Sequence, residues 1–206
     1  MRDLLERHGE VVEPDLKGWA EHILANGLRE SGNVDEAREI YDRLSRQADL
    51  AAHRRGWAYA RAAAVRLETE PLTALTILDE AVRLESPALE QQTALLVRVM
   101  LAIGEDEAID ARLEAISTLH PHRALDVHSR LLDEVNQALD RADLTRAEAL
   151  VRIVERRVAT AKDLTLLAAD VAVARNLLED GLACREIAAT VREHFAAHPP
   201  TWWCSA

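Results

Sequence analysis

Aromatic side chains are scarce in this 206-residue chain: one Phe, two Tyr and four Trp, 3% of the whole. Any core it builds must therefore be aliphatic. Its seven Gly and six Pro are scattered, which excludes long flexible linkers and argues against a turn-rich all-β fold. Cys184 and Cys204 are the only cysteines. Two are too few for a disulfide framework or a Cys-based metal cluster, so a reducing, cytoplasmic setting is expected. No run approaches 18 or so uninterrupted apolar residues, and residues 1–9 are charged throughout. Neither a membrane span nor a secretory signal is expected. Basic stretches are missing too: Lys17 and Lys162 are the only lysines, and the formal net charge is −11. Such a surface repels the phosphate backbone and anionic lipid, so neither nucleic acid nor membrane is an expected partner.

What the chain has in abundance is Ala, Leu, Glu and Arg, all strong helix formers. The fold class is all-α. Ala37, Ala74, Ala108 and Ala147 recur at steps of 37, 34 and 39 residues within similar apolar frames. Self-similarity at that period marks a stacked helical-hairpin solenoid. Pro14 suits the first turn of a helix running to about Glu30. Gly32 permits a turn, and Asn33 with Glu36 has capping-box spacing. Val34, Ala37, Ile40, Tyr41 and Leu44 then form one stripe. Further pairs are expected over 51–69 with 71–85, 88–103 with 105–119, 124–141 with 144–159, and 162–179 with 182–197. The last is divided at Asp180-Gly181. The chain thus reads as a lead-in (1–14), a repeat domain (15–197) and a Trp-rich tail (198–206).

These residues resemble the tetratricopeptide repeat family, whose unit is a 34-residue antiparallel helix pair. Leu24-Ala25, Gly32, Ala37, Tyr41 and Leu44 carry the first unit, and Ala62, Ala74, Leu78, Ala81 and Pro87 the second. Gly104, Ala108, Ala115 and Pro121 carry the third, with a turn one residue shorter and Arg112 in place of a large apolar residue. Val135, Ala142, Ala147 and Val151 match the fourth loosely, and Ala183 and Ile187 are all that is left in a fifth.

The resemblance implies a right-handed α-solenoid of about five antiparallel pairs, with a concave face lined by the first helix of each. It implies a peptide or partner helix in that groove. The inner-face positions are Trp19, His22, Asn26 and Arg29, then Tyr59 and Arg66, then Gln91 and Arg98, then Asp133, Asn136 and Asp140. Asn26 and Asn136 fall where the family often holds peptide backbone. The basic pair that grips a terminal carboxylate in some members is not reproduced, because His22 and Ala60 stand in those places.

No catalytic constellation emerges, and neither cofactor nor metal is expected. Gly27 and Gly32 have phosphate-loop spacing, but Asn33-Val34 stands where Lys-Ser/Thr must follow. His120, His122 and His128 lack a further ligand for a tetrahedral zinc site, so an exposed turn is expected. Glu105-Asp106-Glu107, Asp79-Glu80 and Asp133-Glu134 read as solvated faces or partners of a helix dipole. Cys184 is expected in an apolar layer and Cys204 in an exposed tail.

Trp202 and Trp203 demand cover, since burying one indole is worth roughly 3 kcal/mol or more. They are expected to cap the last pair, to close a homodimer, or to be recognised by another protein. The functional expectation is a non-catalytic protein-interaction module. The alternatives are a self-associating structural protein and a peptide-sensing accessory subunit of a larger system.

Overall fold

Pro14 and Pro71 each open a helix, at the position where a missing N–H costs nothing. The computed structural model describes residues 13–84, 86–160, 164 and 167–197. Among these the chain is all-helical, with no strand. The helices are α1 (Pro14–Glu30), α2 (Val34–Arg46), α3 (Ala52–Ala64), α4 (Pro71–Ala81) and α5 (Leu89–Ile103), followed by α6 (Asp106–Leu119), α7 (Ala124–Asp140), α8 (Leu144–Thr160) and α9 (Ala168–Ala197). None of the described helices is long and apolar enough to cross a membrane. The chain divides into two compact units between Arg130 and Leu131.

One frame recurs in every second helix. Counted from the helix start, the fourth, eighth and eleventh residues are buried in α2 (Ala37, Tyr41, Leu44) and α4 (Ala74, Leu78, Ala81). The same holds in α6 (Ile109, Leu113, Ile116) and α8 (Ala147, Val151, Val154). Spacing of four and three residues keeps these side chains on one face. Each large aliphatic among them contributes about 2 kcal/mol by leaving water. The third copy corrects the expected register: Ala108 is exposed, and Ile109 holds the buried place. Arg112 consequently faces outward and pairs with Asp79 at 2.7 Å, while Leu113 fills the large apolar position.

The turns between paired helices share a geometry. Gly32 (φ +89°), Gly104 (φ +76°) and Ala142 (φ +56°) each adopt the left-handed conformation, two residues before the next helix. The following amide then donates back to a carbonyl five residues earlier: Asn33 to Leu28, Glu105 to Met100 and Asp143 to Ala138. This closure satisfies the carbonyls left open at the helix end. Asn33 therefore contributes its backbone; its side chain makes no cap, contrary to the capping-box expectation. Asp143 does cap, its carboxylate accepting the Arg146 amide at 3.3 Å.

In the first unit α1 to α6 each pack on their sequence neighbours, and first helices also meet: α1 touches α3, and α3 touches α5. Small residues permit these approaches. A Cβ added at Gly18 would lie 2.5 Å from Leu50 Cδ2, and one at Gly56 would lie 1.9 Å from Ser86 Oγ. Ala58, Ala60, Ala62 and Ala63 continue that thin surface along α3. Helix α5 is apolar and buried nearly all round, as a central helix must be.

In the second unit α9 packs on α8 through Val171, Ala174 and Leu178, with Arg175 paired to Glu155. The expected fifth hairpin does not form. Helix α9 runs unbroken through Asp180-Gly181, because strong helix formers flank the glycine on both sides. Gly181 instead lets α9 approach Leu144, whose Cδ2 would lie 3.0 Å from an added Cβ. Beyond it Cys184 is exposed rather than buried in an apolar layer, as are Ile187 and Val191. The lead-in before Glu13 and the tail with Trp202, Trp203 and Cys204 lie outside the described residues.

Candidate interaction surface

The first-helix stripes of the first unit bring several of the expected site residues together. On α1, His22, Asn26 and Arg29 share one face, with Trp19 beside them. Trp19 is 40% exposed and continues outward into exposed Leu16 and Ile23. Its ring is stacked on His22, and the Arg54 guanidinium sits 4.4 Å from its centroid. That placement provides a cation–π contact, and Arg54 also pairs with Asp15 at 3.3 Å.

His22 is buried between Trp19 and the edge of Tyr41. Burial, reinforced by the nearby Arg61 and Arg54 charges, lowers its pKa from 6.5 to about 4. The ring is neutral at pH 7 and serves as an aromatic spacer. Asn26 is partly committed inside the fold, its Oδ1 accepting the Tyr41 hydroxyl at 2.8 Å. Burial raises the Tyr41 pKa, so the phenol remains a donor.

Arg29, which pairs with Glu30 at 3.7 Å, and Arg98 both line a recess of about 360 Å³, walled by Val34, Val65, Leu67 and Leu95, with Glu68 also in its lining. This volume is at the small end of the about 300–1,000 Å³ typical of ligand pockets. Gln91 lies half-buried two turns before Arg98 on the same side of α5.

Arg66 does not join that recess. Its side chain is buried, donates to the Ala62 carbonyl and pairs with Asp42, so it braces α3 against α2. Tyr59 also turns toward the second helices, its hydroxyl 3.5 Å from a Glu80 carboxylate oxygen. Burial and that carboxylate both raise its pKa. Asp133, Asn136 and Asp140 are exposed along α7 in the second unit.

Sequence reasoning missed Arg54 and Arg61. Their signal is the run Arg54, Ala58, Arg61, Val65, one face of a helix at four- and three-residue steps.

The other motifs have structural duties. His120 is buried, with Nε2 2.8 Å from the Val82 carbonyl, so the exposed-turn expectation fails there. His128 is fully buried against the Ala124 carbonyl, and His122 alone is exposed. Asp106 and Glu107 occupy the first turn of α6, where they complement its dipole. Asp79 pairs with Arg112 and Glu134 with Arg146. Among the described residues no cluster of His, Cys, Asp or Glu could hold a metal ion.

Compared with family models, with curated proteins and with solved structures, the chain matches none.

Proposed function

We propose that this chain is a non-catalytic protein-interaction module, a right-handed tetratricopeptide-like stack whose first helices form the working face for a peptide or partner helix. The reading is carried by the recess between Arg29 and Arg98, an open site with aliphatic walls and cationic ends. Support also comes from the recurring buried frame, the repeated left-handed turn, and the successive contacts of α1, α3 and α5. Aromatic and Arg anchors dominate such interfaces, and Trp19 and Arg29 supply both types on α1. The face requires no cofactor.

The test is a random-peptide display selection on the purified full chain, followed by affinity measurement. Selected peptides should bind the native chain and lose at least tenfold when Arg29→Ala and Arg98→Ala are combined, the scale of losing one charged hydrogen bond. Unchanged binding in that double variant removes this face from consideration. Arg66→Ala serves as the contrast: it should lower the melting temperature, because its partner Asp42 loses a buried pair.

Self-association is a second reading, favoured by one observation. Val173, Leu177, Ile187 and Val191 are large and apolar yet exposed along α9. A second copy laid along that stripe would cover it. Sedimentation of the native chain beside an Ile187→Lys/Val191→Lys variant decides: a mass that halves supports the reading, and a monomer in both ends it.

A further inference from the structure

Helix α9 outruns the partner it packs on. Its pair between Arg175 and Glu155 sets it antiparallel to α8, and Gly181 lies beside Leu144, the residue on which α8 begins. Residues 182–197 continue past that end for about 24 Å, at 1.5 Å per residue. From Ala183 to Ala188 every residue is exposed. A helical segment of this length is marginal in water without a surface to pack on.

The exposed face is patterned. Val173, Leu177, Asp180, Cys184, Ile187 and Val191 follow one another at alternating steps of four and three residues, the spacing of a two-helix seam. All six are exposed, over about 27 Å of helix. The residues turned toward α8, namely Ala174, Leu178 and Gly181, each follow a seam residue by one position. That sets them about 100° round the helix, so α9 can hold α8 and a second helix at once. Ala183 and Ala188 border the seam and keep its flanks thin.

We infer that the seam pairs with its own image: α9 of a second copy, antiparallel, with the two-fold axis passing beside Leu182. This rests on the self-association reading and gives it a geometry. Two-fold pairing makes each contact reciprocal. Val173 meets the partner's Val191, Leu177 meets the partner's Ile187, and Asp180 meets the partner's Cys184. Every large apolar residue of the seam thereby faces another. A parallel pair would instead set Asp180 against its own image, and like charges in one layer oppose association. The antiparallel arrangement also lays the projecting half of each α9 along the packed half of the other, so both gain cover.

Disulfide trapping on the full chain tests this, in a Cys204→Ser background whose only thiol is Cys184. Under oxidation the background should form no covalent dimer, because Cys184 faces the partner's Asp180. Adding Asp180→Cys should convert most of the chain to a covalent dimer that a reducing agent dissolves. A second pair of variants reads the same register without cysteine. Ile187→Lys and Leu177→Glu should each sediment as monomers, and mixing them should give association at least tenfold tighter than either shows alone. Covalent dimer through Cys184 alone, no cross-link with Asp180→Cys, or no rescue on mixing overturns the antiparallel register and leaves self-association standing. A monomeric native chain overturns both, including one that dimerises only once residues 198–206 are removed, which would give the seam to the tail.

Discussion

The Trp19 indole and the His22 imidazole lie face to face, their ring centroids 5.9 Å apart and their planes inclined by 10°. Burial, with the Arg61 and Arg54 charges nearby, keeps neutral a histidine that would otherwise titrate near pH 6.5. Its folded-state pKa, about 4, is below the unfolded value. Between these values the unfolded chain binds more protons, so stability is complete above pH 6.5 and falls as pH drops through the window. By pH 5 the loss from this group is about 2 kcal/mol. Urea midpoints at pH 7 and pH 5 should show it, and a His22→Phe variant should show a shallower slope.

Ala142 is the one described non-glycine residue with positive φ, and it occupies the position held by Gly32 and Gly104 in the other turns. A side chain there costs about 1 kcal/mol or somewhat more. Ala142→Gly should recover close to that amount as a higher melting temperature. A drop in stability would mean that the turn is not held as described.

Gly56 tests the approach of α3 to the segment before α5. Alanine is ordinarily about 1 kcal/mol better than glycine inside a helix. Here the added methyl meets Ser86 Oγ and Cβ, and behind them Gln92, which donates to the Gly56 carbonyl at 2.7 Å. Gly56→Ala should therefore destabilise by about 1–3 kcal/mol. Pairing it with Ser86→Gly should cost less than the sum of the single changes, which a double-mutant cycle measures.

The third copy of the buried frame predicts opposite results at adjacent positions. Ile109→Ala should cost about 2–5 kcal/mol through the cavity it leaves. Ala108→Leu, on the exposed side, should fall within about 0.5 kcal/mol of the native chain. Ala74→Leu, at the equivalent buried place in α4, should cost about 1–3 kcal/mol by overpacking. Thermal melts of the three variants fix the register of α6.

Helix continuity at Gly181 gives the last test. Proline there should remove a helical hydrogen bond and cost about 3 kcal/mol, with a loss of far-ultraviolet helicity. If Asp180-Gly181 were a turn between two helices, Gly181→Pro would be tolerated.

Much of the architecture could be read from local chemistry. Pro14, Pro71, Gly32 and Gly104 announced helix starts and turns, and Ala37, Ala74 and Ala147 marked the close approaches. The third copy sits one residue from the alanine step because Ala108 stands next to the frame position, while the turn at Gly104 matches those at Gly32 and Ala142. Anchored on the helix start at Asp106, the frame falls on Ile109, whose bulk hides the repeat that alanine reveals elsewhere. Ala142 gave no sign of its left-handed backbone, since alanine elsewhere signals helix. Asp180-Gly181 gave a false sign, because a turn dipeptide loses to a helix packed along its length.

The candidate face was legible in part. Arg29 and Arg98 line one recess, whereas Arg66 is consumed by Asp42, a partner 24 residues away that no local pattern specifies. His120 likewise owes its burial to Val82, 38 residues earlier.

The alanines of α3 have a mechanical consequence. Ala58, Ala60, Ala62 and Ala63 are buried yet possess no rotatable side-chain bond, so the wall on which Arg61 and Val65 are mounted has no rotamers to rearrange. Adjustment along this stretch of α3 must therefore come from movement of the helix as a whole, not from side chains changing rotamer.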